Sequence, residues 1–439
     1  MEIQAWPDTP DLLALKAARP ERYPALFRTG GGLGWDILFA FPQASKVLAR
    51  EAGPQAAAAF FDGLPQPGTS SAPSSSLPFR GGWLLALSYE LGGLLEPSAG
   101  MASDAERFPL AWASRIPAAI LIDHQQKQTW LMAETGQEQL LDSMQADLRG
   151  LEEQAEADLP DMRLEEDPAQ GFLDGVARIK SYIREGDVFQ VNLSRGWRAE
   201  FAAPLASALL YRKLSRSNPA PFSAIADMGE WSIVSSSPER LARLEQGGRV
   251  LTRPIAGTHP RGTSRDEDAA LKSRLVAHPK ERAEHIMLVD LERNDLGRIC
   301  EPGSVRVEAL MELASYAHVH HLESTVSGRL RNGTSLFELI RAVFPGGTIT
   351  GCPKVRTMQI IRELEQAPRR AYTGSLGYLN LDGTLDLNIL IRSFLLKGCT
   401  AWFRTGAGIV ADSEPERELA ETRAKAKGLL KALAKGESK

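Results

Sequence analysis

Strand-like and helical segments follow one another irregularly from residue 170 onward, and this order constrains the possible fold more than any other feature of the sequence. Strands are predicted at 188–199, 231–237, 372–381, 386–397 and 400–405. Helices are predicted at 170–186, 267–297, 334–342, 354–366 and 415–435. Because a doubly wound parallel sheet needs strict alternation of strand and helix, the pattern instead favours an α+β fold with largely antiparallel sheets.

The first half of the chain is less regular. It contains strand-like stretches at 83–89 and 118–123, a Pro-, Ser- and Gly-rich loop at 64–79, and a polar, strongly acidic helical run at 136–169. After that run, glycine-containing turns and β-branched stretches become denser. We therefore place the main boundary near residue 168, which divides the chain into an N-terminal region, 1–168, and a second domain, 169–435.

Composition narrows the class of protein. With 439 residues, of which 43% are hydrophobic, the chain can bury a sizeable core. Its 51 basic and 55 acidic residues are interspersed, so no basic stripe indicates nucleic acid binding and no polybasic segment indicates a membrane. The N-terminus does not resemble a signal peptide, so a cytoplasmic protein is expected. Cys300, Cys352 and Cys399 are too widely spaced to indicate a disulfide framework or a cysteine zinc site.

Two pairs of glutamates lie on predicted helices: Glu281 with Glu284, and Glu418 with Glu421. A spacing of three residues directs both carboxylates of a pair to the same side of a helix. For an isolated pair, a solvated helix face is the more common explanation. Four carboxylates brought together by folding would repel one another unless a cation lay among them. Oxygen ligands that keep several waters suit Mg²⁺ better than Zn²⁺.

Both pairs are predicted near helix N-termini. Pro279 comes shortly before the first pair, and Pro415 comes shortly before the second. Ser413 and Glu416 have the spacing of a capping box, which predicts the start of the last helix. Because the helix dipole favours negative charge at this end, the carboxylates are expected to stay ionised and available to a metal.

Eight further segments occur in the order typical of one family. They are FQVNLS (189–194), SSSPERL (235–241), RPIAGTHPRG (253–262), HVHHLEST (318–325), FPGGTITGCPK (344–354), YTGSLGYL (372–379), ILIRS (389–393) and GAGIVADS (406–413). Together they resemble the chorismate-utilising enzymes, a family that includes anthranilate, aminodeoxychorismate, isochorismate and salicylate synthases. The resemblance covers 170–435 and, more weakly, the N-terminal region. It implies a large antiparallel β-sandwich flanked by helices, like anthranilate synthase component I, with 169–435 as the chorismate-binding catalytic domain.

The resemblance also implies how the glutamates act. Mg²⁺ binds the ring carboxylate of chorismate in this family. By position, Glu284 and Glu421 are expected as direct metal ligands, and Glu281 and Glu418 are expected to lie nearby, touching the metal directly or through its waters.

The remaining motifs supply expected contacts to the rest of the substrate. Arg392 matches the arginine that binds the enolpyruvyl carboxylate, with Tyr372 and the backbone N–H of Gly408 as companions. In a continuous strand, Arg392 would share a face with Leu390 and Phe394. An internal salt bridge is the alternative role for a buried arginine.

Three more motif positions complete the expected site. Thr348 and the glycines of GGTITG are expected to cradle a carboxylate, and Lys354 is a candidate for added positive charge. His321 matches the histidine that faces the C4 leaving group, where it would act as a general acid or orient that group. Thr258 is expected as a hydroxyl on the substrate side, with a plain turn residue as the alternative.

Gln190 indicates which nucleophile, water or ammonia, is expected to attack chorismate. Family members that add water to C2 of chorismate have a lysine general base at this place, whereas glutamine has no basic lone pair at neutral pH. Isochorismate and salicylate synthesis are therefore disfavoured, and ammonia is the expected nucleophile. The chain has no GxCxG-type glutaminase loop of its own, so ammonia is expected from a separate glutamine amidotransferase subunit in a heterodimer.

The choice between the two ammonia-using branches depends on conflicting features. Many aminodeoxychorismate synthases have a lysine where this chain has Ala256, and alanine is usual in anthranilate synthases. The N-terminal region, however, lacks the LLES-type motif of the tryptophan feedback site, and 83–93, 346–354 and 385–393 look closer to the aminodeoxychorismate branch. We favour aminodeoxychorismate synthesis, which leads to 4-aminobenzoate and folate. Anthranilate synthase component I is the first alternative, and an inactive regulatory paralogue that binds chorismate is the second.

Overall fold

The computed structural model describes residues 1–30, 34–68, 76–152, 157–262, 264–277, 279–315 and 319–434, excepting the side chains of 256–260, 276–277, 279–281 and 319. Its helices are α1 (Leu12–Ala18), α2 (Pro54–Asp62), α3 (Leu91–Leu95), α4 (Gln139–Arg149), α5 (Ala169–Arg184), α6 (Ser207–Ser217), α7 (Arg265–Ala277), α8 (Pro279–Gly297), α9 (Leu336–Val343), α10 (Lys354–Glu365) and α11 (Pro415–Leu433). Short 3-10 helices occur at Pro97–Ala99 and Gly347–Ile349.

The strands of the N-terminal region are β1 (Glu2–Trp6), β2 (Ala25–Arg28), β3 (Trp35–Ala40), β4 (Ser45–Leu48), β5 (Gly82–Leu87), β6 (Ala111–Ile116), β7 (Ala118–Asp123), β8 (Gln128–Ala133) and β9 (Met162–Glu166). The later strands are β10 (Gln190–Phe201), β11 (Phe222–Met228), β12 (Trp231–Ser237), β13 (Arg240–Leu244), β14 (Arg249–Arg253), β15 (Ile255–Pro260), β16 (Arg306–Ser315), β17 (Val319–Arg329), β18 (Gly351–Cys352), β19 (Ser375–Asn380), β20 (Leu385–Asn388), β21 (Ser393–Lys397) and β22 (Thr400–Ile409).

These strands form two antiparallel sheets within the described residues. The larger sheet has 12 strands in the order β1-β8-β7-β3-β2-β11-β12-β21-β22-β10-β18, with β9 beside β10. The smaller sheet has 10 strands in the order β15-β17-β14-β13-β20-β19-β5-β6-β4, with β16 beside β17. The predicted α+β class with antiparallel sheets is therefore confirmed.

The sheets pack face to face over a shared apolar core. Ile37 and Phe39 of the larger sheet meet Leu84 and Tyr378 of the smaller one in a single buried cluster. Phe39 and Tyr378 approach with ring centroids 6.2 Å apart. The outer faces are covered by helices: α2 and α9 pack on the smaller sheet, and α1, α6 and α11 pack on the larger one. The result is the expected β-sandwich flanked by helices.

Several predicted elements differ from the structure. The acidic run at 136–169 is helical only over α4 in the described residues, and β9 pairs with β10 in antiparallel fashion within the same run. Pairing with a neighbouring strand thus overrides the helical composition there. The strand expected at 386–397 is two strands, β20 and β21, separated by four residues. The helix expected at 267–297 is divided into α7 and α8.

The expected capping box of the last helix does not form. The N-cap of α11 is Glu414, without a side-chain hydrogen bond, while the Ser413 hydroxyl accepts from the N–H of Val410. Pro415 nevertheless begins the helix as predicted. A capping box does form at α9, where Ser335 and Glu338 satisfy each other's backbone N–H groups.

The boundary placed near residue 168 lies between β9 and α5 and stays a prediction. Strands from both sides of it join each sheet: β2 pairs with β11, and β5 pairs with β19. None of the described helices combines the length and the apolar character needed to cross a membrane.

Candidate active site

Neighbouring strands β10 and β22 form the floor of the candidate site. Asn192 lies opposite Gly408, and Ser194 lies opposite Gly406, in their antiparallel pairing. Residues two apart in a strand face the same side of a sheet, so Gly406 and Gly408 form a strip without side chains of its own, against which side chains from neighbouring segments pack.

Gln190, Glu284 and Gly408 meet at one end of this strip. The Gln190 side-chain amide donates to Glu284 Oε1 over 2.9 Å, which joins β10 to α8. A Cβ atom on Gly408 would lie 2.4 Å from Gln190 Nε2 and 3.2 Å from Glu284 Oε1. A side chain at position 408 would therefore have to displace the Gln190 amide from its place beside Glu284.

Tyr372 and Asn192 meet at Gly406, further along the strip. A Cβ atom on Gly406 would lie 2.8 Å from the Tyr372 hydroxyl and 2.6 Å from Asn192 Oδ1. Burial raises the pKa of Tyr372 to about 12, so its hydroxyl keeps its proton and can donate to an anion.

Helix α11 brings the second glutamate pair to the same strand. Glu418 is 5% exposed, whereas the Glu421 side chain is 47% exposed and pairs with Lys425 Nζ over 2.8 Å. Lys425 also donates to the carbonyl oxygen of Gly406 over 3.0 Å. Glu284 and Glu421 therefore both approach β22, the first at Gly408 and the second through Lys425 at Gly406.

The carboxylates suit Mg²⁺ by their chemistry, although they are not gathered into one cluster. The described residues contain no group of three or more His, Cys, Asp or Glu side chains placed to hold a metal ion, and the Glu281 side chain lies outside them. Mg²⁺ ordinarily takes only one or two carboxylates and completes its shell with water and substrate oxygens. Glu284 and Glu421 fit that requirement.

Arg392 occupies the break between β20 and β21. Its φ is +52°, a left-handed conformation that interrupts the expected strand, so the predicted alternation with Leu390 and Phe394 is wrong. Within the described chain its guanidinium has no hydrogen-bond or ion-pair partner, so the internal salt bridge considered from the sequence is not formed. Burial lowers its pKa, while nearby Glu239 acts in the opposite direction. An enclosed arginine without a partner is suited to binding an anion.

Glu239 follows β12 in the SSSPERL segment and is 5% exposed. Burial raises the pKa of its carboxyl to about 7, although hydrogen bonds from the Thr348 hydroxyl and the Ile255 N–H, and then the charges of Arg392 and Lys425, act to lower it. Its Oε1 is a buried atom without a hydrogen-bond partner among the described residues. A carboxyl group that is half protonated near neutral pH can donate a proton to a substrate.

The loop at 346–350 provides Thr348. The Oγ1 atom of Thr348 is buried and lies close enough to the Glu239 carboxyl to lower the pKa of that carboxyl through a hydrogen bond. Lys354, a candidate for substrate binding, directs its Nζ to Asp295 Oδ2 over 2.7 Å and so ties α10 to α8. This ion pair gives Lys354 a structural partner.

A buried arginine beneath the site connects several of its parts. Arg369 is 2% exposed and pairs with Glu365 Oε1 over 2.6 Å. It also donates to the carbonyl oxygens of Ile349 over 3.0 Å and Asn192 over 2.7 Å. Its guanidinium lies 5.5 Å from the centre of the Tyr372 ring. Arg369 thus holds the 346–350 loop, β10 and Tyr372 in fixed relation.

Strands β15 and β17 carry the other expected catalytic residues. Thr258 lies opposite His321, and Ala256 lies opposite Leu322, in their antiparallel pairing. The side chains of Ala256 and Thr258 lie outside the described residues, and His321 is 1% exposed. Helix α8, which carries Glu284, packs against both strands.

The neighbouring histidines differ in their surroundings. His320 is held by Asp268 Oδ1 and Ser315 Oγ, each 2.8 Å from one of its ring nitrogens, which indicates a structural role. His318 lies outside the described residues.

A second cavity, of about 590 Å³, lies between the two sheets, and none of the described side chains of the candidate site contributes to its lining. Phe27, Arg28, Thr29 and Trp35 of the N-terminal region contribute to its lining. These residues belong to the N-terminal segment in which the LLES-type motif of the tryptophan feedback site is missing.

Three residues of the site were missed by the sequence analysis: Glu239, Asn192 and Arg369. A glutamate after three serines at the end of a strand is a signal for Glu239, and alternation with Gln190 is a signal for Asn192. No local pattern marks Arg369, because its partners come from four separate segments.

Known proteins resemble this chain in both sequence and structure. The family profile described as chorismate binding enzyme matches residues 31–431. The chain is 42% identical to the anthranilate synthase component I-like protein of Synechocystis sp. over 358 residues, which is 81% of this chain and 73% of that protein. It is 40% identical to the aminodeoxychorismate synthase component 1 of Bacillus subtilis over 368 residues, 81% of this chain and 77% of the relative.

A solved structure also has a fold similar to that of this chain. The crystal structure of anthranilate synthase component I from Streptococcus pneumoniae TIGR4 superposes with a TM-score of 0.79 at 31% identity, covering 90% of this chain and 91% of that one. The resemblance read from the motifs at 170–435 is therefore confirmed over most of the chain. This protein belongs to the chorismate binding enzyme family and is a chorismate-utilising enzyme.

Proposed function

We propose that this chain is component I of an aminodeoxychorismate synthase, which converts chorismate and ammonia to 4-amino-4-deoxychorismate. One observation carries the choice of nucleophile. Gln190 lies in the floor of the site with its amide N–H engaged by Glu284, so its side chain presents a neutral carbonyl oxygen. A neutral amide cannot take a proton from water, whereas ammonia attacks without a base.

The chain's own residues would hold chorismate at both carboxylates. Arg392 and the Tyr372 hydroxyl would bind the enolpyruvyl carboxylate, with the N–H of Gly408 as a further donor. Thr348 and the backbone of its loop would cradle the ring carboxylate. Lys354 keeps its Asp295 partner in this proposal and contributes charge only from a distance.

Glu284 and Glu421 would bind Mg²⁺, with Glu281 and Glu418 supporting them. When bound, this ion would polarise the ring carboxylate of chorismate and stabilise the charge that develops on it. Lys425 shares Glu421 in the structure, so its ion pair would loosen as the metal site forms.

In the proposed reaction, the ammonia nitrogen forms a bond to C2, the ring double bonds shift, and the C4 oxygen leaves. Glu239 would supply the proton that converts the leaving hydroxyl to water, and His321 would orient that hydroxyl. Thr258 would contact the substrate from β15. A second ammonia would then bond to C4 as the C2 amine departs, because Ala256 offers no nucleophile for a covalent intermediate.

Anthranilate synthase component I is the alternative, and Ala256 is the observation that favours it. In that case the C2-amino intermediate would lose pyruvate instead of being displaced at C4. Purified chain, chorismate, Mg²⁺ and excess ammonium chloride near pH 7, where Glu239 still carries its proton in part of the molecules, would distinguish the two. We expect a product that gives 4-aminobenzoate only after a separate lyase is added. Anthranilate fluorescence without a lyase would refute the proposal, and no turnover would favour an inactive chorismate-binding paralogue.

A glutamine amidotransferase subunit is the proposed source of ammonia in the cell. The purified chain should therefore use ammonium chloride but not glutamine. Adding a glutaminase subunit should make glutamine an efficient amine donor. Glutamine-dependent turnover by the chain alone would contradict this part of the proposal.

A further inference from the structure

Asn192 is a buried amide that the proposed reaction has not yet used. The residue is 9% exposed, and its Oδ1 has no hydrogen-bond partner among the described residues. Its backbone groups are already occupied: the N–H donates to the Thr350 carbonyl over 2.7 Å, and the carbonyl accepts from Arg369 over 2.7 Å. The backbone is thus fixed, and the side-chain amide remains available.

The amide lies over the glycine strip beside the substrate pocket. The 2.6 Å distance from Asn192 Oδ1 to a Cβ on Gly406 shows that the oxygen lies above that glycine, next to the Tyr372 hydroxyl. A buried acceptor without a donor is unfavourable, so this position favours a ligand that brings an N–H or O–H group.

Gln190 provides a second such oxygen on the same strand face. It is 2% exposed, and its Oε1 also lacks a hydrogen-bond partner within the described residues. Because its Nε2 donates to Glu284, the orientation of the amide is set and Oε1 faces away from that carboxylate. Residues two apart in a strand are separated by roughly 6.6–6.8 Å. A single nitrogen that donates two hydrogen bonds of about 2.9 Å can bridge this distance if the two side chains lean toward each other.

We propose that Asn192 Oδ1 and Gln190 Oε1 together bind the ammonia molecule before it attacks chorismate, with Asn192 as a positioning residue for the nucleophile. Ammonia offers three N–H donors to the two acceptor oxygens, and as a neutral molecule it needs no counter-charge. Two acceptor oxygens would repel a carboxylate placed directly between them, so a neutral donor is favoured at that point. This inference rests on the proposed use of ammonia.

The test measures KM for ammonia and KM for chorismate separately, in the full chain with Mg²⁺ present. Asn192→Val removes the acceptor with little change in volume, and Asn192→Ser keeps a shorter acceptor. We expect Asn192→Val to raise KM for ammonia about five- to tenfold, the effect of one hydrogen bond, and Asn192→Ser to raise it less. KM for chorismate and the product should stay unchanged.

Thr405→Val is the matched control. Thr405 lies on the opposite face of β22, where its hydroxyl donates to the Thr422 carbonyl, so this variant removes a buried hydrogen bond of the same strand from the face away from Asn192. Its ratio of the two KM values should equal that of the parent.

Three outcomes would overturn the inference. An unchanged KM for ammonia in a folded Asn192→Val variant means that Asn192 does not bind ammonia. An equal or larger rise in KM for chorismate means that the amide contacts the substrate instead. If the parent protein forms no aminated product, the proposed function is rejected and this inference falls with it. If the parent is active and only the Asn192 results disagree, the inference alone is rejected. If Asn192→Val does not fold, the result for Asn192→Ser decides.

Discussion

Glu239→Gln tests whether a buried carboxyl group of this site is protonated near neutral pH. Burial raises the pKa of Glu239 from 4.5 to about 7. Between pH 4.5 and pH 7, the Glu239 carboxyl therefore keeps its proton in the folded protein but loses it in the unfolded chain. Its contribution to stability is fully present below pH 4.5, falls as the pH rises toward 7, and is lost above 7.

The size of the effect follows from the two pKa values. Each pKa unit corresponds to about 1.4 kcal/mol, so ionising Glu239 lowers the free energy of unfolding by about 3 kcal/mol between pH 4.5 and pH 8.5. Glutamine keeps the shape of the side chain and cannot ionise. The free energy of unfolding of Glu239→Gln minus that of the parent should therefore be larger at pH 8.5 than at pH 5, by about 3 kcal/mol.

Urea unfolding of both proteins at pH 5 and pH 8.5, without chorismate or Mg²⁺, measures this difference. Glu230→Gln is a control for the loss of one carboxylate, because the Glu230 side chain is 63% exposed and makes only a surface ion pair with Lys397 over 3.4 Å. Equal stability changes at both pH values would refute the reasoning about burial. If Glu239 also donates the proton, kcat should fall by about 10²- to 10⁴-fold in Glu239→Gln.

Three further predictions concern binding and the glycine strip. Arg392→Gln should raise KM for chorismate by about 10- to 150-fold, because a charge-assisted hydrogen bond is lost. Initial rates measure this change, and an unchanged KM would contradict the assigned anion site. Glu421→Ala should require a much higher Mg²⁺ concentration for half-maximal turnover, measured by metal titration at saturating chorismate, and an unaltered titration would remove Glu421 from the metal site. Gly408→Ala places a Cβ 2.4 Å from Gln190 Nε2, so turnover should fall at least about tenfold with a small change in melting temperature.

Gly171→Ala is the control for the last substitution. A Cβ on Gly171, in α5, would meet no atom within 4 Å, so this variant should keep full activity. Equal activity of Gly408→Ala and Gly171→Ala would show that the close packing of Gln190 and Glu284 against Gly408 is unimportant.

Local patterns were sufficient to predict much of the fold. The strand predictions at 118–123 and 231–237 match β7 and β12 residue for residue, because apolar and β-branched runs bounded by turns are strong local signals. The prediction was wrong where a distant partner decides the structure. β9 is a strand because β10 offers it an edge, although its own residues are charged and favour a helix.

The sequence by itself determined the α+β class, the family and the residue types available for chemistry: carboxylates for a metal, an arginine for an anion, and a glutamine where a base would be needed. Tertiary structure alone decided how these residues are used. It gave Arg392 a left-handed backbone and a guanidinium without a hydrogen-bond or ion-pair partner among the described residues. It also gave Lys354 an ion pair and Glu239 a pKa of about 7. These properties depend on burial and on neighbours from distant segments, which residue order does not encode locally.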